Sequence, residues 1–378
     1  MISRRTMMND KIVEDQGEII RLGRCKGSYF NSFRLFGKST QNGVATPTSP
    51  APIVNVGDKG DIGISIEGKN LIDIASGIKQ GYNVTQPNLK LIPGQTYTYT
   101  NVDASTGVSL YESTTETNLT KGYPSAGLNK TFVMPDIPNA KLILAGLNGD
   151  WNVGDLSQIH IQLEIGDKST PYEPYKPAQK LIIPTPDGLP GIPVNAGGNY
   201  TDEKGQQWVA DEIDLSRGER VQWIGERVFN GGEVWFTWGV NYITEGITGF
   251  YWYFKDVITT KQKEVLNTHA VFNRNVFGGR EEGIMANVVS SGDSYLIWSV
   301  RNEYLEDVSS KNSAIQSFKK LLGEINAKML YCLAEPIRTP LPPETIAAYK
   351  RLHTYAPTST IINDAGAGMS VGYRKVRG

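Results

Sequence analysis

Between Ile159 and Ile165 the chain alternates strictly, with Ile159, Ile161, Leu163 and Ile165 set against His160, Gln162 and Glu164. In a strand successive side chains point to opposite faces, so this period predicts a half-buried β-strand with its polar members in water. Gly166-Asp167 then ends the strand, and Pro171 and Pro174 hold the following residues extended. A β-module therefore closes at residues 162–175, and the chain divides into one unit before that stretch and another after it.

The rest of the sequence has the same grammar. Its 378 residues exceed one ordinary core, and 40 Gly with 20 Pro favour short strands joined by turns over helices. Strands are expected at 29–36, in a hairpin of 53–58 with 62–66 around Lys59-Gly60, and then at 89–92, 96–102, 108–112, 130–133, 141–147 and 158–165. Beyond the prolines they are expected at 207–214, 220–224, 234–238, 249–255, 270–272, 284–289 and 294–300, with a last one in 361–373. Two helices interrupt this pattern. Asn312 or Ser313 can cap the first, where Ile315, Phe318, Leu321, Leu322, Ile325 and Met329 recur at helical spacing. Pro342 and Pro343 can occupy the first turn of the second, which carries Ile346, Ala347, Tyr349 and Leu352.

The expected fold is mostly β, with two β-sandwich or jelly-roll-type domains, the second carrying two short helices near the C-terminus. The expected units are a basic N-terminal arm (1–30), a hairpin-rich attachment segment (31–68), a jelly roll (69–177), a Pro/Gly linker (178–198) and an aromatic-rich β-sandwich with the helices (199–378).

Composition excludes several functions. A net charge of -1, from 38 basic and 39 acidic residues, gives no electrostatic case for nucleic acid or an anionic membrane. No window reaches the ~18 apolar residues of a membrane span, so no membrane insertion is expected. The first ten residues lack an apolar signal core, which fits a protein made in a cytoplasm and released by lysis or delivered in a particle. Cys25 and Cys332 match no metal or redox spacing, and His160, His269 and His353 form no HExxH, so neither metal nor cofactor is expected.

Three motifs fall short of catalysis. Gly368-Met369-Ser370-Val371-Gly372 has the GxSxG pattern, but no acid or His follows it. Gly63 to Lys69 matches GxxxxGK, but Asn70 stands where a P-loop needs Ser or Thr. Asp211, Glu212 and Asp214 form the densest carboxylate cluster, of which Glu212 and Asp214 would share a strand face; glycoside hydrolysis needs two carboxylates ~5–10 Å apart. No catalytic residue is assigned.

Aromatic residues are more informative. Trp235, Phe236, Trp238, Tyr242, Phe250, Tyr251, Trp252 and Tyr253 fall within one short span, and alternation puts aromatics on both faces of its strands. One set is core. The other is a subunit contact or a platform on which sugar rings stack through their C–H faces. Tyr111, Tyr123, Trp151, Trp235 and Trp252 are the candidate carbohydrate-binding residues.

The stretch QLEIGDKSTPYEPY (162–175) resembles the closing strand of carbohydrate-binding-module-like jelly rolls in minor structural and tail proteins of phages and prophages of Gram-positive bacteria. Four further stretches share that look, in order. They are FRLFGKSTQNGVATPTSPAPIVNVGDKGDIG (33–63) with GKNLID after it, LIIPTPDGLPGIP (181–193), GGNYTDEKGQQWVADEIDLSRGERVQ (197–222) and LYCLAEPIRTPLPPETIAAYKRLHTYAPTSTIINDAGAGMSVGY (330–373). The resemblance implies a non-enzymatic virion component of the tail or baseplate, present in several copies, that contributes to host-surface attachment. Its implied partners are other tail proteins, host cell-wall polysaccharide and further copies of itself. The chain departs from longer members in lacking a coiled-coil shaft, a collagen-like run or a peptidase domain. Two alternatives stand beside glycan binding: a purely structural baseplate protein, and a glycan depolymerase.

Overall fold

The strands that build the main core place a buried apolar residue at every second position. Gly60–Glu67 buries Ile62, Ile64 and Ile66, Gln179–Thr185 buries Leu181 and Ile183, and Gly368–Lys375 buries Met369, Val371 and Tyr373. Burying such a side chain contributes about 1.5–3 kcal/mol, so each strand has one face that must be covered. The computed structural model describes residues 11–41, 52–81, 83–87, 89–104, 106–137, 139–147, 156–242, 245–254, 270–272, 283–288, 294–325 and 327–376. Within them the chain is mostly β in antiparallel sheets, with two helices, α1 (Lys311–Ile325) and α2 (Pro343–Tyr349).

A sandwich made from widely separated segments forms the scaffold. One sheet runs in the order Gln179–Thr185, Gly60–Glu67, Ser359–Asn363, Ile19–Leu22. The other runs Lys11–Gly17, Gly368–Lys375, Ser32–Phe36, Glu212–Asp214, Glu219–Phe229, Ala327–Pro340, Ala270–Phe272. Phe33, Leu35, Ile213, Met369 and Val371 from the larger sheet meet Ile20, Ile64, Leu181 and Ile361 from the smaller, and Tyr349 of α2 closes the same core. Small sheets flank this sandwich. Gly191–Val194, Gln207–Ala210 and Tyr200–Thr201 form a three-stranded one, and Ser39–Gln41 pairs with Ile53–Asn55.

Three of the expected boundaries are corrected by this pairing. Residues 11–22 are not an arm: Lys11–Gly17 pairs along its whole length with 369–375, and Ile19–Leu22 pairs with 359–362. The expected hairpin is not one either. Ile53–Asn55 pairs with Ser39–Gln41, whereas Gly60–Glu67 pairs with Gln179–Thr185 and Ser359–Asn363. The expected linker 178–198 holds two strands. Its Pro184 is accommodated because Gln179–Thr185 lies at a sheet edge, where an amide donor can be spared.

Two modules are inserted into the scaffold. The first has its own core of Val84, Tyr97, Tyr99, Leu110, Leu144, Ile161 and Leu163, all between 71 and 165. A five-stranded sheet (Thr117–Asn118, Val108–Glu112, Leu142–Gly146, Asn83–Thr85, Ile78–Gln80) and a three-stranded sheet (Asn129–Val133, Thr96–Asn101, Ile161–Ile165) enclose it. The second lies between Phe229 and Ala327. There α1 packs Ala314, Phe318 and Leu322 onto Phe250 and Trp298 of a four-stranded sheet (Phe236–Thr237, Ile247–Phe254, Ser294–Arg301, Gly283–Val288). Ser310 supplies the hydroxyl that accepts from the Ser313 amide at 3.1 Å, so the cap falls two residues before the expected Asn312. Each insertion leaves and returns on neighbouring strands: Ile66 pairs with Gln179, and Phe229 with Ala327.

Strand Ile161–Ile165 is buried on both faces, against the expectation of a solvated polar side. The segment after it folds back over Gln162 and Glu164. Glu164 accepts from the Thr170 amide (2.9 Å), the Thr170 hydroxyl (2.7 Å) and Gln162 Nε2 (2.8 Å), and Gln162 Oε1 accepts from the Glu173 amide (2.9 Å). Glu173 then reaches Lys69 (3.2 Å) and accepts from the Thr358 hydroxyl of the scaffold (3.1 Å). Gly166, at φ +116°, lies against Arg21; a Cβ there would sit 2.6 Å from the guanidinium.

Replacing Glu164 with Ala leaves three donors without their buried acceptor, and a loss of about 3 kcal/mol is expected in denaturant unfolding; a loss below about 1 kcal/mol would show that the fold-back segment is not held by this network. A second expectation concerns acid. Burial would raise the Glu112 carboxyl, but the amides of Thr115, Lys141 and Thr114 outweigh it and hold it down at about 2. Its folded value lies below the ordinary 4.5, so the stability it contributes is complete above 4.5 and is lost as pH falls toward 2. Thermal melts across that window should fall less steeply for Glu112→Gln than for the native chain.

Candidate functional site

The four-stranded sheet of the second insertion sorts its aromatics by face. Thr237 pairs with Phe250 and Phe236 with Tyr251, so Phe236 and Tyr251 lie together on the side away from Phe250. The inner side carries Trp235 (3% exposed), Phe250 and Trp298, around the Phe318 ring of α1. Phe250 stacks on Phe318 at 4.1 Å, and Trp235 meets it edge-on at 5.0 Å. Packing of this density is core.

Among the described residues the outer side carries a row of four rings. Phe236 stacks on Tyr251 with centroids 5.5 Å apart, Tyr251 on Trp238 at 4.4 Å, and Trp238 inclines to Tyr242 at 5.8 Å. Tyr242 is 64% exposed and Phe236 39%. The turn bearing Tyr242 is held by amides. Asn241 Oδ1 accepts from Gly246 N (3.0 Å) and from Asn302 Nδ2 (2.7 Å), and Thr248 donates to Asn302 Oδ1 (2.7 Å). Asn241 stands at φ +57°, a conformation that Asn tolerates better than most residues. The result is a ring surface on a fixed turn, with amide and hydroxyl groups beside it. A pyranose can lay its C–H face on such a ring and keep hydrogen bonds at its rim.

The residues expected to bind carbohydrate fall in different places. Trp235 is corrected outright: it fills the core because its strand neighbour Phe236 takes the outer face. Trp252 is also on the inner side, half-buried, edge-on to Phe229 at 5.8 Å and with the Arg227 guanidinium 4.8 Å over its ring. In the first insertion Tyr111 is half-buried on Val108–Glu112, opposite Asn118 and Ile143. Tyr123 is 40% exposed in the loop against Gly107, and among the described residues no ring contact joins the two. Trp151 lies outside the described residues. Phe236, Trp238, Tyr242 and Tyr251 were missed as a set. Their alternation was visible, but nothing in it said which face α1 would cover.

The carboxylate cluster also divides. Asp211 is fully buried and serves the backbone: the strand Glu219–Phe229 shifts register between Gln222 and Ile224, and Asp211 Oδ1 accepts from the amides of Trp223 (2.7 Å) and Ile224 (2.8 Å). Burial pushes this carboxyl up to about 6 against those amides and Arg220. Its contribution to stability therefore declines as pH rises from 3.8 through about 6. Glu212 and Asp214 open instead onto a charged cleft on the outward face of the large sheet.

Among the described residues no helix is long and apolar enough to cross a membrane, and no group of three or more His, Cys, Asp or Glu stands in an arrangement that could hold a metal ion. Comparison of the chain with family models, curated proteins and solved structures finds no match.

The two faces predict opposite behaviour on substitution. Trp235→Ala should cost about 3–5 kcal/mol, as large-to-small changes in a dense core do. Tyr242→Ala should stay within about 0.5 kcal/mol of the native chain in denaturant unfolding. Equal losses at both positions would place the Tyr242 ring in packing rather than on a surface.

Proposed function

We propose that this chain is a non-enzymatic virion component of the tail or baseplate of a phage of Gram-positive bacteria, and that it contributes to host attachment by binding cell-wall glycan. The observation that carries glycan binding is the outward row Phe236, Tyr251, Trp238 and Tyr242, with its exposed end on a turn held by Asn241 and Asn302. A rigid ring surface loses little conformational entropy of its own when a sugar binds, and repeated weak contacts along a polymer add up when several copies engage. The resemblance of residues 162–175 and of the four other stretches to tail proteins supports the virion assignment. The β-rich scaffold with two inserted modules is consistent with it. Partners on this reading are neighbouring tail proteins, the host wall polysaccharide and further copies of the chain.

Pull-down on purified cell walls of candidate hosts tests the proposal. The native chain should sediment with the walls of its host, and the Phe236→Ala/Tyr242→Ala double variant should bind at least about tenfold more weakly while melting normally. Trp252→Ala should bind as the native chain does wherever it remains folded. Undiminished binding by the double variant would remove the ring row from the proposal. No binding to any wall, together with failure of tail assembly on deletion, would favour the purely structural alternative.

A further inference from the structure

The outward face of the seven-stranded sheet is partly covered by the small sheet at Phe36, where Tyr200 stacks at 4.7 Å. Two residues along the same strand, Arg34 lines a cleft of about 450 Å³. Arg217 and Arg338 line it too, with Glu14, Glu212 and Asp214 as the matching carboxylates. Most of these charges are engaged. Arg34 donates to Glu14 (2.9 Å), Arg338 donates to Glu219, and Asp214 accepts from the Arg217 amide (2.9 Å).

Glu212 is the exception. Its side chain is only 13% exposed, its nearest cation is Arg34 Nη1 at 3.9 Å, and among the described residues no hydrogen bond reaches its carboxylate. Burial accordingly pushes the carboxyl above its ordinary range. A carboxylate taken this far out of water without donors is costly unless something else supplies them. Trp223, which stands against four residues of the partner strand at the register shift, also lines the cleft.

We propose that this cleft binds an uncharged, hydroxyl-rich ligand, one monosaccharide unit of a neutral glycan, with Glu212 accepting from its hydroxyls and Arg34 and Arg338 donating to them. Three cations line the cleft against three anions, and Glu219 beside Arg338 adds a fourth carboxylate, so no net positive field draws an anion. A sugar hydroxyl both donates and accepts, so it can meet a wall that presents both kinds of group. Trp223 offers a surface for the C–H side of the ring. The volume falls within the ~300–1,000 Å³ of small-ligand sites. This extends the glycan-binding reading to a second site on the scaffold and rests on that reading only for the class of ligand.

Saturation-transfer NMR on the full chain, with glucose, galactose, rhamnose and N-acetylglucosamine as probes and galacturonic acid as the charged control, tests it. One of the neutral sugars should bind. Glu212→Ala and Arg338→Ala should each weaken it at least about tenfold, and Glu212→Gln, which keeps an acceptor, should weaken it less. Arg338 is about half exposed, so its variant reports on the site even where Glu212→Ala melts early. Phe236→Ala/Tyr242→Ala should leave monosaccharide binding within about twofold. The proposal is overturned if no neutral sugar binds more tightly than about 10 mM, if the uronate binds better than every neutral sugar, or if folded Arg338→Ala binds as the native chain does. Loss of wall binding in the ring-row variant alone, with the cleft variants unaffected, would leave the ring row standing and sink the cleft.

Discussion

Glu164 accepting three hydrogen bonds from Gln162 and Thr170 is the contact on which the arrangement of the chain depends. It turns a strand with an apparent polar face into one buried on both sides. The cover is the chain itself, doubling back immediately after Gly166. Through Glu173 the same network passes to Lys69 at the start of the first insertion and to Thr358 in the scaffold. The module is thereby tied to its base at both the point where it leaves and the point where it returns. A buried network of this kind is favourable only when every member is satisfied, which is why Gln, Glu, Thr and a second Glu are all needed within twelve residues.

The second insertion solves a different problem. Its sheet is aromatic on both sides, and α1 can cover only one. The helix buries Phe318 between Phe250, Trp235 and Trp298, which fixes the inner set and leaves Phe236 and Tyr242 outward. The sheet thus has a rigid backing and a patterned front. A rigid backing means that little of the contact energy of any weak ligand on that front would be spent on ordering the protein.

Much of the fold was legible in local pattern. Alternation located Thr96–Asn101, Val108–Glu112, Asn129–Val133, Leu142–Gly146 and Ile161–Ile165 in the first insertion, but residues 89–92 form no strand and Ile78–Gln80, Asn83–Thr85 and Thr117–Asn118 were not expected. Pro343 marked the first turn of α2. What local pattern could not show was partnership. Ile64 lies between Leu181 and Asn363, which are more than a hundred residues away in either case. Pro184, Gly188, Pro190 and Pro193 made residues 178–198 look like a linker, although Leu181, Ile183, Ile192 and Val194 all reach cores. Gln162 looked solvated because its partners Thr170 and Glu173 come later in the chain. The same limit governed the site. Alternation separates Trp235 from Phe236 with certainty and is silent on which of them faces in, because both are large and aromatic. For Glu212 and Asp214 the shared face was legible, whereas the arginines from three other segments that meet them were not.

The pairing of Ile66 with Gln179 and of Phe229 with Ala327 means that each inserted module begins and ends one strand spacing apart, about 4.8 Å. The residues of the scaffold's own core come from outside both insertions, and the second insertion adds only the edge strand Ala270–Phe272 to the larger sheet. Exchange of either module at its junction would therefore change one surface of the molecule while leaving the scaffold core in place.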